Sequence, residues 1–148
     1  MNQVFPLRRN KDKILPLDGR KARAADPKTQ REKLVKEMDD IVSAGVKRRD
    51  KYRCQWPGCT WKQTLNCCHF KSRAYKAVRW DPENVVTFCV GHHRYTERNP
   101  DEFAEFMILR LGRARFDSLI LRRDNKVKMD PKSLEFRKLD VQAEWGKL

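Results

Sequence analysis

Every cysteine and histidine in this chain lies between Cys54 and His93: five cysteines at 54, 59, 67, 68 and 89, and three histidines at 69, 92 and 93. Soft sulfur and imidazole donors gathered in one window point to a metal site rather than to a disulfide framework. The odd cysteine number and the opening MNQVFPLRRNK, which lacks the apolar stretch of an export signal, argue the same way. The expected setting is cytoplasmic, with no membrane span, because no run of apolar residues is long enough to cross one.

Two pairs have the spacing of zinc knuckles. Cys54-x4-Cys59 flanks Pro57-Gly58, a tight-turn signal, and Cys89-x2-His92 supplies the second pair. Together Cys54, Cys59, Cys89 and His92 make the four-donor set of a closed structural zinc site. The competing reading is four reduced, buried side chains without an ion. The 29 residues between the knuckles exceed what a simple finger needs, so something else is expected between them.

Composition supports the need for a staple. Of 148 residues, 39% are hydrophobic and 36% charged, which leaves a small core. The 34 Lys and Arg exceed the 20 Asp and Glu, for a net charge of +14. Such an excess predicts a polyanionic partner, nucleic acid first. Residues 1–25 carry seven Lys/Arg and two Asp without periodicity, and read as a flexible basic arm or a solvated tail.

Residues 26–148 read as one domain. Asp26-Pro27 signals a helix start, and Leu34, Met38, Ile41 and Val42 continue it at helical spacing to about 47–50. Residues 66–90 suggest two short strands joined by a loop. Helices are expected from about 91 to 99, from Asp101 to Leu111 with Gly112 as its stop, and from Ala114 to Arg123. Lys126–Met129 reads as a short strand, and Asp130-Pro131 as the cap of a last helix carrying Leu134, Val141 and Trp145. The expected class is α+β, a mostly helical single domain around a hairpin and helix at about 50–100, with flanking helices at 26–50 and 101–148.

Within CHFKSRAYKAVRWDPENVVTFCVGHHRYTE, His69, Asn84 and His93 stand 15 and 9 residues apart, in register with Cys89-x2-His92. This order resembles the HNH endonucleases, whose ββα-metal core is a hairpin followed by one helix. HFKSR, RWDPENVVTFCVGHHRY and NPDEFAEF are similar to a phage and prophage branch related to the NinG-type recombination nucleases. The resemblance implies a metal-dependent DNA endonuclease acting on duplex or branched DNA, with a structural zinc and a catalytic divalent ion such as magnesium, manganese, nickel or zinc. It implies His69 as general base, Asn84 as the residue that ties the hairpin loop and orients the base, and His93 as a ligand of the catalytic ion. Neutral-range titration suits histidine to that role, and a donor–acceptor side chain suits asparagine to its own.

Two positions depart from the family pattern. Cys68 stands where an Asp ligand is usual, and reads either as a soft metal ligand or as a small buried residue. Glu97 stands where some members carry another metal-binding His; it shares a helix face with His93, and reads as a second ligand or as a solvated glutamate. Cys67 reads as buried filler. Lys71, Arg73, Arg79 and Arg94 are candidate DNA contacts, Arg73 and Arg79 foremost. Trp80 reads as core, and Asp81 as an orienting partner of Arg79 or of a nearby backbone amide, or as a stray ligand. The alternative function is a zinc-stabilised nucleic-acid-binding module without catalysis. A homodimer or a phage protein partner fits a nuclease that cuts both strands, although no heptad seam supports a dimer.

Overall fold

The structure is a computed structural model, and it describes residues 26–146; the basic arm expected at 1–25 lies outside the described residues. Helix α1 (Pro27–Arg49) is followed by strands β1 (Leu65–His69) and β2 (Val85–Cys89). Helices α2 (Val90–Arg98), α3 (Pro100–Leu111), α4 (Arg113–Arg123) and α5 (Pro131–Gly146) complete a mostly helical α+β domain. Among the described residues no helix is long and apolar enough to cross a membrane.

Helix α1 starts where the sequence signals it. Asp26 accepts a hydrogen bond from the Thr29 amide at 3.3 Å, and Pro27 needs no partner in the first turn. Its last turn carries Lys47, Arg48 and Arg49, favourable charge at the negative end of the helix dipole. The buried face runs through Leu34, Met38, Val42, Gly45 and Val46, and α5 packs on it with Leu134, Val141 and Trp145. Gly45 permits this approach: a Cβ there would stand 2.4 Å from Trp145 Cε3.

The strands form an antiparallel pair in which Leu65 faces Cys89 and His69 faces Val85. One apolar cluster joins Val85 and Trp80 to α1 and α5. A second joins Val86, Phe88 and Cys68 to Phe103, Met107 and Phe116 of α3 and α4. The hairpin is thus covered on both sides, and every residue of β2 is buried. Burial on both faces explains the weak polar–apolar alternation of these strands.

Residues 126–129 are not a strand. Val127 and Met129 are half-buried while Lys126 and Lys128 are exposed, so the alternation is real, but the sheet has only β1 and β2 and offers this segment no ladder. It is a connector, pinned where Met129 meets the α1–α5 core.

Candidate functional site

Cys54, Cys59, Cys89 and His92 bring one donor atom each within 4.8 Å of all the others. Among the described residues this is the one group of three or more His, Cys, Asp or Glu so placed. The turn between the first two cysteines has a Cys59 amide to Trp56 carbonyl bond of 3.0 Å and Gly58 at φ 73°, the signature of a type II turn. Cys89 ends β2 and caps α2, its sulfur accepting from the His92 amide at 3.5 Å.

The fit to zinc rests on donor chemistry and spacing. A tetrahedron with the usual zinc–sulfur and zinc–nitrogen bonds has sulfur–nitrogen edges of about 3.5 Å. His92 Nδ1 lies 3.5 Å from Cys54 Sγ and 3.2 Å from Cys89 Sγ. Burial pushes the Cys89 thiol up, but the His92 amide and the neighbouring thiols outweigh it and hold it below the ordinary thiol range. Burial lowers the His92 pKa, favouring the neutral ring that binds metals. Trp56 stacks on His92 at 5.3 Å and on Phe106 at 5.6 Å, so the donor cluster is seated against α3.

A separate cleft of about 510 Å³ lies beside the hairpin, with His69, His93, Glu97, Arg73, Ser72 and Lys47 among its lining. His69 comes from β1, His93 and Glu97 from α2, and Lys47 from the end of α1. The segment between the strands is tied down by Asn84, which is fully buried. Its Oδ1 accepts from the Lys71 amide at 2.7 Å, and its Nδ2 donates to the Lys71 and Val78 carbonyls at 2.9 Å. These three bonds fix the loop at Lys71, two residues after His69, and at Val78, one residue before Arg79.

His69 Nε2 lies 3.0 Å from the Arg79 carbonyl. A carbonyl only accepts, so Nε2 carries the hydrogen and Nδ1 is left with a free lone pair. Burial, reinforced by the charge of Arg73, pushes the His69 pKa down to about 4, so the ring is neutral near pH 7. His93 Nδ1 and Glu97 Oε1 stand 3.8 Å apart on one helix face. An imidazole and a carboxylate form a donor pair suited to a partly hydrated divalent ion.

Several residues singled out in the sequence lie elsewhere. Cys68 is only 3% exposed, packs among Val86, Phe88 and Phe103, and has its sulfur 3.9 Å from Thr96 Oγ1. Burial pushes its thiol up to about 12, and it does not line the cleft, so it takes the small buried role rather than that of a ligand. Cys67, by contrast, is half-buried and lines the cleft. The Arg79 side chain is not free for phosphate: Nε and Nη2 reach the two Asp39 oxygens at 3.0 and 2.6 Å. Lys71 Nζ sits 4.2 Å over the Phe70 ring, away from the cleft, and the exposed Arg94 does not line it either. Of the four basic candidates, Arg73 alone faces the cleft.

Trp80 is core, its indole N–H donating to Asp39 at 2.8 Å. Asp81 accepts from the Glu83 amide at 2.9 Å and pairs with Arg122, not with Arg79. Sequence reasoning passed over Asp39 and Lys47. Asp39 carried no signal beyond being a charge beside the buried Met38, and Lys47 is a single cation in a chain full of them. Ser72, which the sequence places beside Lys71 and Arg73 after His69, does line the cleft.

Compared with family models, curated proteins and solved structures, the chain matches none.

Proposed function

We propose that the protein is a metal-dependent DNA endonuclease of HNH type, with β1, β2 and α2 as its ββα element. The observation that supports this best is the convergence of His69 and His93, from the strand and the helix, on one basic cleft beside a loop tied by Asn84. In this reading a water lies against His69 Nδ1 and gives up its proton as its oxygen attacks phosphorus. The Asp39–Arg79 pair and the Arg79 carbonyl hold the ring at the required angle. Arg73 and Lys47 bind the phosphate oxygens. His93 and Glu97 would hold the divalent ion, which when bound supplies charge stabilisation at the phosphate. The P–O3′ bond breaks and the leaving 3′ oxygen takes a proton from solvent, which leaves 5′-phosphate and 3′-hydroxyl ends. Duplex and branched DNA of the kind processed by phage recombination both suit so basic a surface.

The test is cleavage of supercoiled plasmid by zinc-loaded wild type and His69→Ala, with magnesium, manganese, nickel or zinc added. Nicking by wild type that the substitution abolishes is the expected result. Wild-type protein that binds DNA but cuts with none of the four ions would overturn the nuclease reading, and favour a zinc-stabilised binding module.

A further inference from the structure

The zinc knuckle carries a surface that the cleft does not explain. Trp61 is 55% exposed and Tyr52 is 58% exposed, and neither ring has an aromatic or cation partner among the described residues. They are held near one another by backbone: the Cys54 amide donates to the Trp61 carbonyl at 3.3 Å, and Tyr52 lies two residues before Cys54. Lys51, Arg53 and Lys62 flank them and are exposed. Between residues 51 and 80 the chain has seven Lys and Arg and no Asp or Glu. Trp61 stands at the edge of the knuckle itself: with Thr64, Val90 and Gly91 it borders the donors Cys59, Cys89 and His92.

Backbone conformation marks the same surface. Lys51, Tyr52 and Thr64 have φ of 54°, 51° and 50°, and among the described residues they are the non-glycine residues with positive φ. A bulky side chain in that region costs free energy, and such strain gathers at functional positions. The surface also adjoins the cleft. The Tyr52 amide donates to the carbonyl of Lys47, a cleft residue, at 2.8 Å, and Thr64 lies two residues before Asn66, which also lines the cleft.

We propose that Trp61 and Tyr52, with Lys51, Arg53 and Lys62, form a stacking platform for unpaired bases of a DNA strand that leads into the cleft. Every base presents a π-face, so exposed rings interleaved with cations hold single strands with little regard to sequence. A paired duplex keeps its faces stacked internally and cannot use the rings. The platform therefore selects DNA with an unpaired segment next to the cut, such as a flap, gap or branch. This substrate choice rests on the nuclease reading; the binding itself does not.

The experiment uses full-length, zinc-loaded protein without added divalent cation. Its probes are an oligothymidylate containing one 2-aminopurine and a blunt duplex of equal length. Stacking contributes enough per base that Trp61→Ala should weaken single-strand binding by about fivefold or more. It should change duplex binding by less than about twofold, because phosphate contacts carry that affinity. The 2-aminopurine emission quenched by wild type should recover, and Trp61→Phe should keep most of the quenching. Tyr52→Asn, which removes the ring with a residue that tolerates positive φ, should act like Trp61→Ala and serves if the latter misfolds. Unchanged single-strand affinity, equal losses on both probes, or quenching that survives Trp61→Ala would overturn the platform. Plasmid cleavage by the same variants keeps the two readings apart: loss of the platform effect with cleavage intact sinks only the platform, and single-strand selectivity in a protein that never cuts sinks only the nuclease.

Discussion

Replacing Asn84 tests the loop on which the candidate site depends. Its side chain makes three hydrogen bonds, at 2.7, 2.9 and 2.9 Å, in a fully buried position. Asn84→Ala leaves the Lys71 amide and carbonyl without those partners, while the Val78 carbonyl keeps the Asp81 amide at 3.3 Å. At about 1–1.5 kcal/mol for each of the two orphaned groups, the loss is roughly 2–3 kcal/mol. For a domain of this size that lowers the melting temperature by about 8 °C. Asn84→Asp separates the bonds. It keeps the acceptor for the Lys71 amide but turns a carboxylate oxygen toward two carbonyls. The introduced carboxyl therefore has a folded pKa above its unfolded value of about 3.9. A raised folded pKa means that the protonated form is favoured by folding. The deficit of Asn84→Asp relative to wild type is then smallest below about pH 4 and grows as pH rises through the folded pKa. Thermal melts by circular dichroism from pH 4 to 8, with zinc content checked, read both effects. An alanine variant melting within about 3 °C of wild type, or an aspartate variant whose deficit is flat with pH, would refute the role assigned to Asn84.

Gly45→Ala sets a methyl 2.4 Å from Trp145 Cε3 and should cost about 1–3 kcal/mol in urea unfolding, because the ring must move within a packed interface. Removing zinc with a chelator, or Cys59→Ser, should abolish one equivalent of bound zinc and destabilise residues 54–92 first, as amide hydrogen exchange would show; a fold indifferent to both would count against a structural zinc. Burial pushes the Asp50 carboxyl up, but hydrogen bonding and charge from Arg49, the charge of Arg110 and the Thr87 amide outweigh it and hold it below the usual range. Its contribution is thus present above the ordinary carboxyl pKa and lost as pH falls through the lowered folded value. Asp50→Ala should cost about 3–5 kcal/mol at pH 7 and flatten the acid limb of the stability profile, measured by urea titration from pH 2 to 7.

What could be read from the sequence was whatever local chemistry decides. Asp26-Pro27 and Gly112 bound their helices because capping and positive φ are properties of single residues. The four clustered donors, Cys54, Cys59, Cys89 and His92, were legible because a metal site imposes spacing on both pairs. The misplacements share one cause: the direction of a side chain depends on partners far away in the chain. Arg79 looks like a phosphate clamp until Asp39, forty residues earlier, takes its Nε and Nη2 and the Arg73 carbonyl takes its Nη1. Cys68 reads from the sequence either as a ligand or as a small buried residue, and the strand decides between them by turning Cys67 and His69 to the cleft and Cys68 to the core. The 126–129 segment has strand alternation but no neighbour with which to pair.

The Asp39–Arg79 pair also shows why a lost phosphate contact need not weaken the site. Burial pushes the Asp39 carboxyl up, yet hydrogen bonds from Arg79 and Trp80 and the charges of Arg79 and Arg73 prevail and keep it ionised. The pair fixes the Arg79 backbone, the Arg79 carbonyl receives the His69 Nε2 hydrogen at 3.0 Å, and that bond leaves Nδ1 as the free lone pair. A guanidinium that reached out to DNA would leave this carbonyl tethered by loop backbone alone. In the proposed nuclease the same arginine would therefore do more for His69 as a base by staying inside than by binding phosphate, while Arg73, half exposed at the cleft edge, would meet the anion.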